Sequence, residues 1–240
     1  HVTVLEQIPA HVGLGSTTAT TLAVVKSLAE LNGWLLPPNR LIDISGRART
    51  SAVGSHAFFE GGLVADVGQR AQGPNADFLP SLKPAGRSPS LKLGRWRMPS
   101  GWYLWLCFIT GKPSIPPEHE AAFFAATTPT SAAETFRQVA ALYHGIVPAV
   151  LESDIDSFAN ALREFQQLGF KAREILAQPE VVRSTLADLW NEGVAAGLSS
   201  LGPTVFVVTA DTDASRLPAA IRNQEVAGPF TFSNDGYVIS

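Results

Sequence analysis

Apolar and polar positions divide the chain into segments of two periods. Residues 2–8 alternate well enough to predict a strand, which Pro9 closes. The run His11-Val12-Gly13-Leu14-Gly15-Ser16-Thr17-Thr18 follows. Beyond it Ala19, Leu22, Ala23, Lys26, Leu28 and Leu31 recur at helical spacing as far as Gly33. Short helices are predicted over 41–44 and 51–59, the second broken by Gly61-Gly62, and then a strand over 63–67. Residues 69–99 are rich in Pro, Gly, Ser and basic side chains with little periodicity, and read as a long surface excursion. A strongly apolar strand over 102–110 ends at Gly111-Lys112-Pro113, and residues 118–126 predict a short helix.

The second half is more helical. Residues 132–151, 155–168 and 179–192 place apolar side chains three and four apart, with Pro148 expected to kink or end a turn of the first. Residues 204–209 predict a β-branched strand and 211–223 a last helix. Residues 230–239 predict a terminal hairpin or tail around Asn234-Asp235-Gly236. No internal repeat is visible. Strands first, helices later and then a strand with a helix predict an α+β fold.

A chain of 240 residues, 45% of them hydrophobic, can bury one large core or two smaller ones. A net charge of −3 gives no basic field for nucleic acid, though a local group of arginines and backbone amides can still bind a phosphorylated ligand. Cys107 is the single cysteine and lies in an apolar run, so it reads as a buried thiol rather than half of a disulfide. No apolar run has membrane-spanning length and no signal peptide is visible, so the default location is the cytoplasm. The sequence opens on His1 and runs at once into a predicted strand, from which missing upstream sequence is expected.

Three runs can carry chemistry. The loop from His11 to Thr18 combines small residues, which let a ligand approach the backbone, with a helix start that favours an anion and with the hydroxyls of Ser16, Thr17 and Thr18. It reads equally as a glycine turn with a Ser/Thr cap. Gly46-Arg47-Ala48-Arg49-Thr50-Ser51 sets two guanidinium forks beside hydroxyls at a helix start, or forms a solvated loop. Gly197-Leu198-Ser199-Ser200-Leu201-Gly202-Pro203 can press its backbone on a ligand, or simply connect a helix to a strand. Among acidic residues Glu60, Asp66, the cluster Glu118-His119-Glu120, Glu152 and Asp154 can each serve Mg²⁺ through water, or act as helix caps. His11, His56, His119 and His144 are scattered and give no zinc pattern.

Three segments occur in order: HVGLGSTTATTLAV (11–24), GRARTSAVGSHAFFEGGLVADVG (46–68) and GLSSLGPTVFVV (197–208). The first resembles the phosphate-binding loop of GHMP kinases. Together they resemble the β-ribofuranosylaminobenzene 5′-phosphate synthase family of that superfamily, and residues 146–170 are similar to the same family's helical segment. The resemblance runs from about residue 5 to 222.

It implies a two-lobe GHMP-kinase-like fold, truncated at its N-terminus. A ribosomal protein S5 domain 2-like lobe would take residues 1–112 and a ferredoxin-like lobe residues 113–240, with the ligand between them. It also implies a transferase joining phosphoribosyl pyrophosphate to 4-hydroxybenzoate or 4-aminobenzoate, with loss of CO₂ and pyrophosphate, in tetrahydromethanopterin synthesis. Aligning Gly61-Gly62 with the kinases' glycine pair puts Gly54 where those enzymes carry their catalytic Asp and leaves Ser51 in register.

The roles expected from the resemblance follow. His11, Gly13, Leu14, Gly15, Ser16, Thr17 and Thr18 cradle pyrophosphate; Arg47 and Arg49 neutralise it; Ser199, Ser200 and Gly202 close the other side. Arg49, Ser51 and Glu60 form the catalytic set. Mg²⁺ is expected, with Ser16 and Asp66 as ligands, and Glu60 or Asp66 is expected to help hold it or to face the sugar cation. ATP belongs only to the alternative of a GHMP-type small-molecule kinase; a non-catalytic phosphate-binding homologue is the third reading. A homodimer, or a companion chain supplying the missing segment, is the partner expectation. The chain departs from the family at Thr17-Thr18-Ala19-Thr20, at Leu198 and Leu201, and near Ile115 and Pro116.

Overall fold

The computed structural model describes residues 3–69, 88–109, 115–116 and 118–238. Three helices open it: α1 (Ser16–Leu31), α2 (Pro38–Ile44) and α3 (Val53–Glu60). They enclose a small core of Leu22, Ile42, Ala48 and Ala52, with Phe58 and Phe59 against it. Pro38 starts α2, where its missing N–H costs no helical hydrogen bond. β1 (Leu63–Asp66) then pairs antiparallel with β2 (Lys92–Trp96).

The second part is built on a four-stranded antiparallel sheet in the order β4-β5-β3-β6, with β3 Tyr103–Phe108, β4 Ala195–Leu198, β5 Val205–Thr209 and β6 Glu225–Thr231. Its side chains alternate between two cores, as the pleat requires. Trp105, Cys107, Ala196, Leu198, Val205 and Val207 face α9 (Glu180–Asn191), which contributes Val182, Leu186 and Leu189. Leu104, Ala195, Phe206 and Val208 face α6 (Val147–Glu152) and α7 (Ile155–Gln166). Between α4 (Glu120–Thr127) and α6 lie α5 (Ala132–Ala141) and a π-helical turn, Leu142–Ile146; α8 (Gly169–Leu176) links α7 to α9.

Two glycines let the layers close. A Cβ on Gly145 would lie 2.6 Å from that of Ala161, and one on Gly197 would lie 2.6 Å from the Gln166 amide nitrogen. A capping box at Ser131 and Glu134 starts α5, and Asp154 caps α7. The π turn directly precedes Pro148, which has no amide to offer the His144 carbonyl, so the kink expected there takes the form of a widened turn.

Several sequence expectations change. Residues 3–8 form no strand and are exposed, because no described strand lies alongside to complete a ladder. Inside the presumed excursion, 92–96 is a strand held by β1, while 70–87 and Gly111-Lys112-Pro113 lie outside the described residues. Of the loop expected over 197–203, Gly197 and Leu198 belong instead to a fully buried strand, Ala195–Leu198. The last helix contracts to a 3₁₀ turn, Ala214–Arg216, and α10 (Ala219–Arg222), interrupted by Pro218. Of the hairpin or tail expected over 230–239, the described residues form the tail: β6 ends at Thr231, and the chain to residue 238 runs on with Tyr237 N–H donating to the Phe58 carbonyl of α3.

The sheet also does not respect a boundary at residue 112. β3 lies before it yet bonds to β5 and β6 on either side, so strand pairing runs across the boundary expected there. Among the described residues no helix is long and apolar enough to cross a membrane.

Candidate phosphate-binding cleft

Gly15 adopts the left-handed conformation, φ 70° and ψ 22°, that turns the chain into α1, and no side chain caps the helix. The first amides of a sixteen-residue helix therefore lack intrahelical partners and point, with the helix dipole, at whatever occupies the loop. Ser16 is buried at this start. Arg47 reaches across to it, its Nε and Nη2 both donating to Thr18 Oγ1 at 3.1 and 2.9 Å. Burial lowers the Arg47 pKa and the charge of Glu120 raises it.

The third motif meets the loop from the other lobe. Ser199 Oγ donates to the Gly13 carbonyl at 2.9 Å, and a Cβ on Gly13 would stand 2.2 Å from the Ser199 carbonyl oxygen. Gly13, at φ 89°, is thus glycine for both conformation and space. The loop over 199–202 is fixed by Gly202 N–H to Ser199 O (2.8 Å), Lys171 Nζ to Ser200 O (2.9 Å) and Gln178 Nε2 to Leu201 O (3.0 Å).

Two cavities adjoin at this contact. One, of about 120 Å³, is lined by His11, residues 13–18 and Arg47. The other, of about 100 Å³, is lined by His11, Gly13, Ile115, Glu120, Ser200, Leu201 and Gly202. His11 and Gly13 belong to both. His11, Gly13, Leu14, Gly15, Ser16, Thr17, Thr18, Arg47, Ser199, Ser200 and Gly202 are therefore brought to one place.

The other expected site residues are engaged elsewhere. Arg49 donates to Asp43 Oδ1 at 3.1 Å and lines neither cavity. Asp66 accepts the amides of Ala52 (2.5 Å) and Gly68 (3.0 Å) and the hydroxyl of Ser51 (3.3 Å), so it and Ser51 fasten the entry to α3. Glu60, at the far end of α3, pairs with Lys92. Asp66 is hydrogen-bonded to backbone amides, and Ser16 stands at the start of α1. No group of three or more metal-binding side chains occurs among the described residues.

Glu120 and Ile115 emerge as lining residues that spacing did not bring into the site. Glu120, the first residue of α4, is half-buried. Burial raises its carboxyl pKa, opposed by the charges of His11 and Arg47. The acidic cluster around it was legible, but only the docking of α4 selects Glu120 from that cluster. Gly54 faces the loop helix: a Cβ there would lie 3.9 Å from Thr18 Cγ2.

Residues 1–62 match the family of GHMP kinases N terminal domain. The fold is similar to homoserine kinase from Cytophaga hutchinsonii, with a TM-score of 0.64, 16% identity, and coverage of 96% of this chain and 69% of that one. It is also similar to a putative homoserine kinase from Listeria monocytogenes (TM-score 0.59, 16% identity, 95% and 69% covered). The architecture and its glycine loop are those of the GHMP-kinase class. Within that class the chain is 31% identical to β-ribofuranosylphenol 5′-phosphate synthase of Methanothermobacter thermautotrophicus, over 95% of this chain and 68% of that protein. It is 33% identical to the synthase of Archaeoglobus fulgidus, over 92% and 68%. The chain belongs to the β-ribofuranosylphenol 5′-phosphate synthase family, the one that its three motifs resemble.

Proposed function

We propose that this protein condenses phosphoribosyl pyrophosphate with 4-hydroxybenzoate, releasing CO₂ and pyrophosphate, to form the kind of product its relatives are named for. The observation that carries the reading is the pair of adjoining cavities. The loop cavity offers free helix amides, hydroxyls and Arg47 to a pyrophosphate. Beside it, sharing His11 and Gly13, lies a second space of mixed polarity that suits a small aromatic acid.

The chemistry follows from that juxtaposition. The C1–O bond of the sugar breaks and its electron pair leaves with pyrophosphate, whose charge the amides and Arg47 stabilise. The ring carbon bearing the carboxylate bonds to C1, assisted by electron release from the para hydroxyl. The bond to the carboxylate then breaks, CO₂ departs, and the electron pair restores the ring. The two substrates meet only if held side by side, and fixing that orientation is what the two seats contribute. The phenol in the relatives' name favours 4-hydroxybenzoate over 4-aminobenzoate. Phosphoryl transfer by a base at position 54 is disfavoured, since glycine accepts no proton.

Release of labelled CO₂ from carboxyl-labelled 4-hydroxybenzoate, dependent on phosphoribosyl pyrophosphate and matched by pyrophosphate, tests the reading. ADP formation from ATP with no labelled CO₂ would refute it in favour of a kinase.

A further inference from the structure

We propose that Glu120 is a catalytic residue whose carboxylate faces C1 of the ribose where the two cavities meet and stabilises the positive charge that develops there as pyrophosphate leaves. The inference rests on the reaction proposed above and assigns one of its steps to a residue.

Three observations carry it. First, among the described residues Glu120 is the one carboxylate that lines either cavity. Second, it lines the cavity that shares His11 and Gly13 with the pyrophosphate side, and the charges of His11 and Arg47 favour its ionised form. Third, it is uncommitted: no hydrogen bond or ion pair ties it to a described residue. Glu60 is paired with Lys92, Asp66 with amides, and Asp43 with Arg40 and Arg49.

Its place in the first turn of α4 favours the ionised form through the helix dipole. Burial opposes ionisation, and the charges of His11 and Arg47 favour it. A half-buried anion held in this way interacts with a nearby developing cation more strongly than one in bulk water. The role is electrostatic: Glu120 neither takes nor gives a proton, and the C1–O pair leaves wholly with pyrophosphate.

Glu120→Gln keeps the shape and removes the charge. The expected result is a fall in single-turnover CO₂ release of about 100-fold or more, with dissociation constants for phosphoribosyl pyrophosphate and 4-hydroxybenzoate each within about threefold of wild type. The acidic limb of the wild-type pH–rate profile should vanish in the variant. Glu120→Asp, which retains a displaced charge, should fall between the two, and unchanged melting temperatures would exclude misfolding. Turnover of Glu120→Gln within about fivefold of wild type would overturn the assignment. So would a loss restored by raising Mg²⁺, which would make the carboxylate a metal ligand. Both outcomes leave the proposed reaction standing; a wild-type protein that releases no CO₂ would sink both.

Discussion

Replacing Gly13 by Ala tests the contact on which the cleft depends. The added Cβ would sit 2.2 Å from Ser199 O and 3.1 Å from Gly202 O, both main-chain atoms that cannot rotate aside. The Ser199 carbonyl is further fixed by the Gly202 amide at 2.8 Å. Residue 13 also has φ 89°, where an L-residue costs about 1–2 kcal/mol. Overpacking against a fixed wall adds about 1–3 kcal/mol. The two together come to about 2–5 kcal/mol, or a fall in Tm of roughly 5–15 °C for a chain of this size.

Gly15→Ala is the internal control. It has φ 70° but no atom within 4 Å of its would-be Cβ, so it carries only the conformational cost, about 1–2 kcal/mol. Calorimetry should therefore show Gly13→Ala melting clearly below Gly15→Ala. Titration with pyrophosphate should show weaker binding in Gly13→Ala, because the strain is relieved by parting residue 13 from the loop at 199–202. Melting temperatures within about 2 °C of each other would refute the claim that the lobes touch at this point.

Arg47→Ala should weaken pyrophosphate binding about 10-fold or more, the scale of a lost charge-assisted hydrogen bond, while Arg49→Ala stays within about threefold; calorimetric titration separates them. Equal losses would return Arg49 to the site. The Glu134 carboxyl is held down to about 2 by hydrogen bonds from Arg173 first and then from Ser131. A depressed carboxyl contributes stability above its unfolded pKa and loses it as the pH falls toward the folded value. Glu134→Gln should thus be less stable than wild type at pH 7, with the gap closing between about pH 4.5 and pH 2 in denaturant titrations.

Helices with one apolar face and one polar face were readable from periodicity, and α1, α7 and α9 fall within a few residues of their expected bounds. Two strands were hidden for opposite reasons. β4, Ala-Ala-Gly-Leu, is buried on both faces and so shows no alternation. β2, Lys-Leu-Gly-Arg-Trp, is short, basic and partly exposed, and is a strand only because β1 lies beside it. Residues 3–8 show the converse: alternation predicts a strand, but without a neighbour there is no ladder.

The cleft divides the same way. Local chemistry marked the three motifs, since glycines, hydroxyls and arginines reveal themselves by type. Which arginine serves could not be read from type, because Arg47 and Arg49 sit two residues apart and Asp43 captures the second. Nor could the reason for Gly61-Gly62 be seen in a helix break. A Cβ on Gly61 would strike the Ser233 and Asp235 carbonyls at 2.6 Å, and one on Gly62 the Trp96 carbonyl at 2.5 Å. Gly61 is small because the C-terminal tail crosses there and Gly62 because β2 lies against it; the tail is held with Tyr237 stacked on Phe58 and Asn234 bonded both ways to the Met98 backbone. The tail thus binds α3 to the second sheet, while Ser199 binds Gly13 across 186 residues of sequence. Motif residues supply the functional groups, but these two long-range clasps set their distances. A pattern read along the chain can name the groups before it can place them.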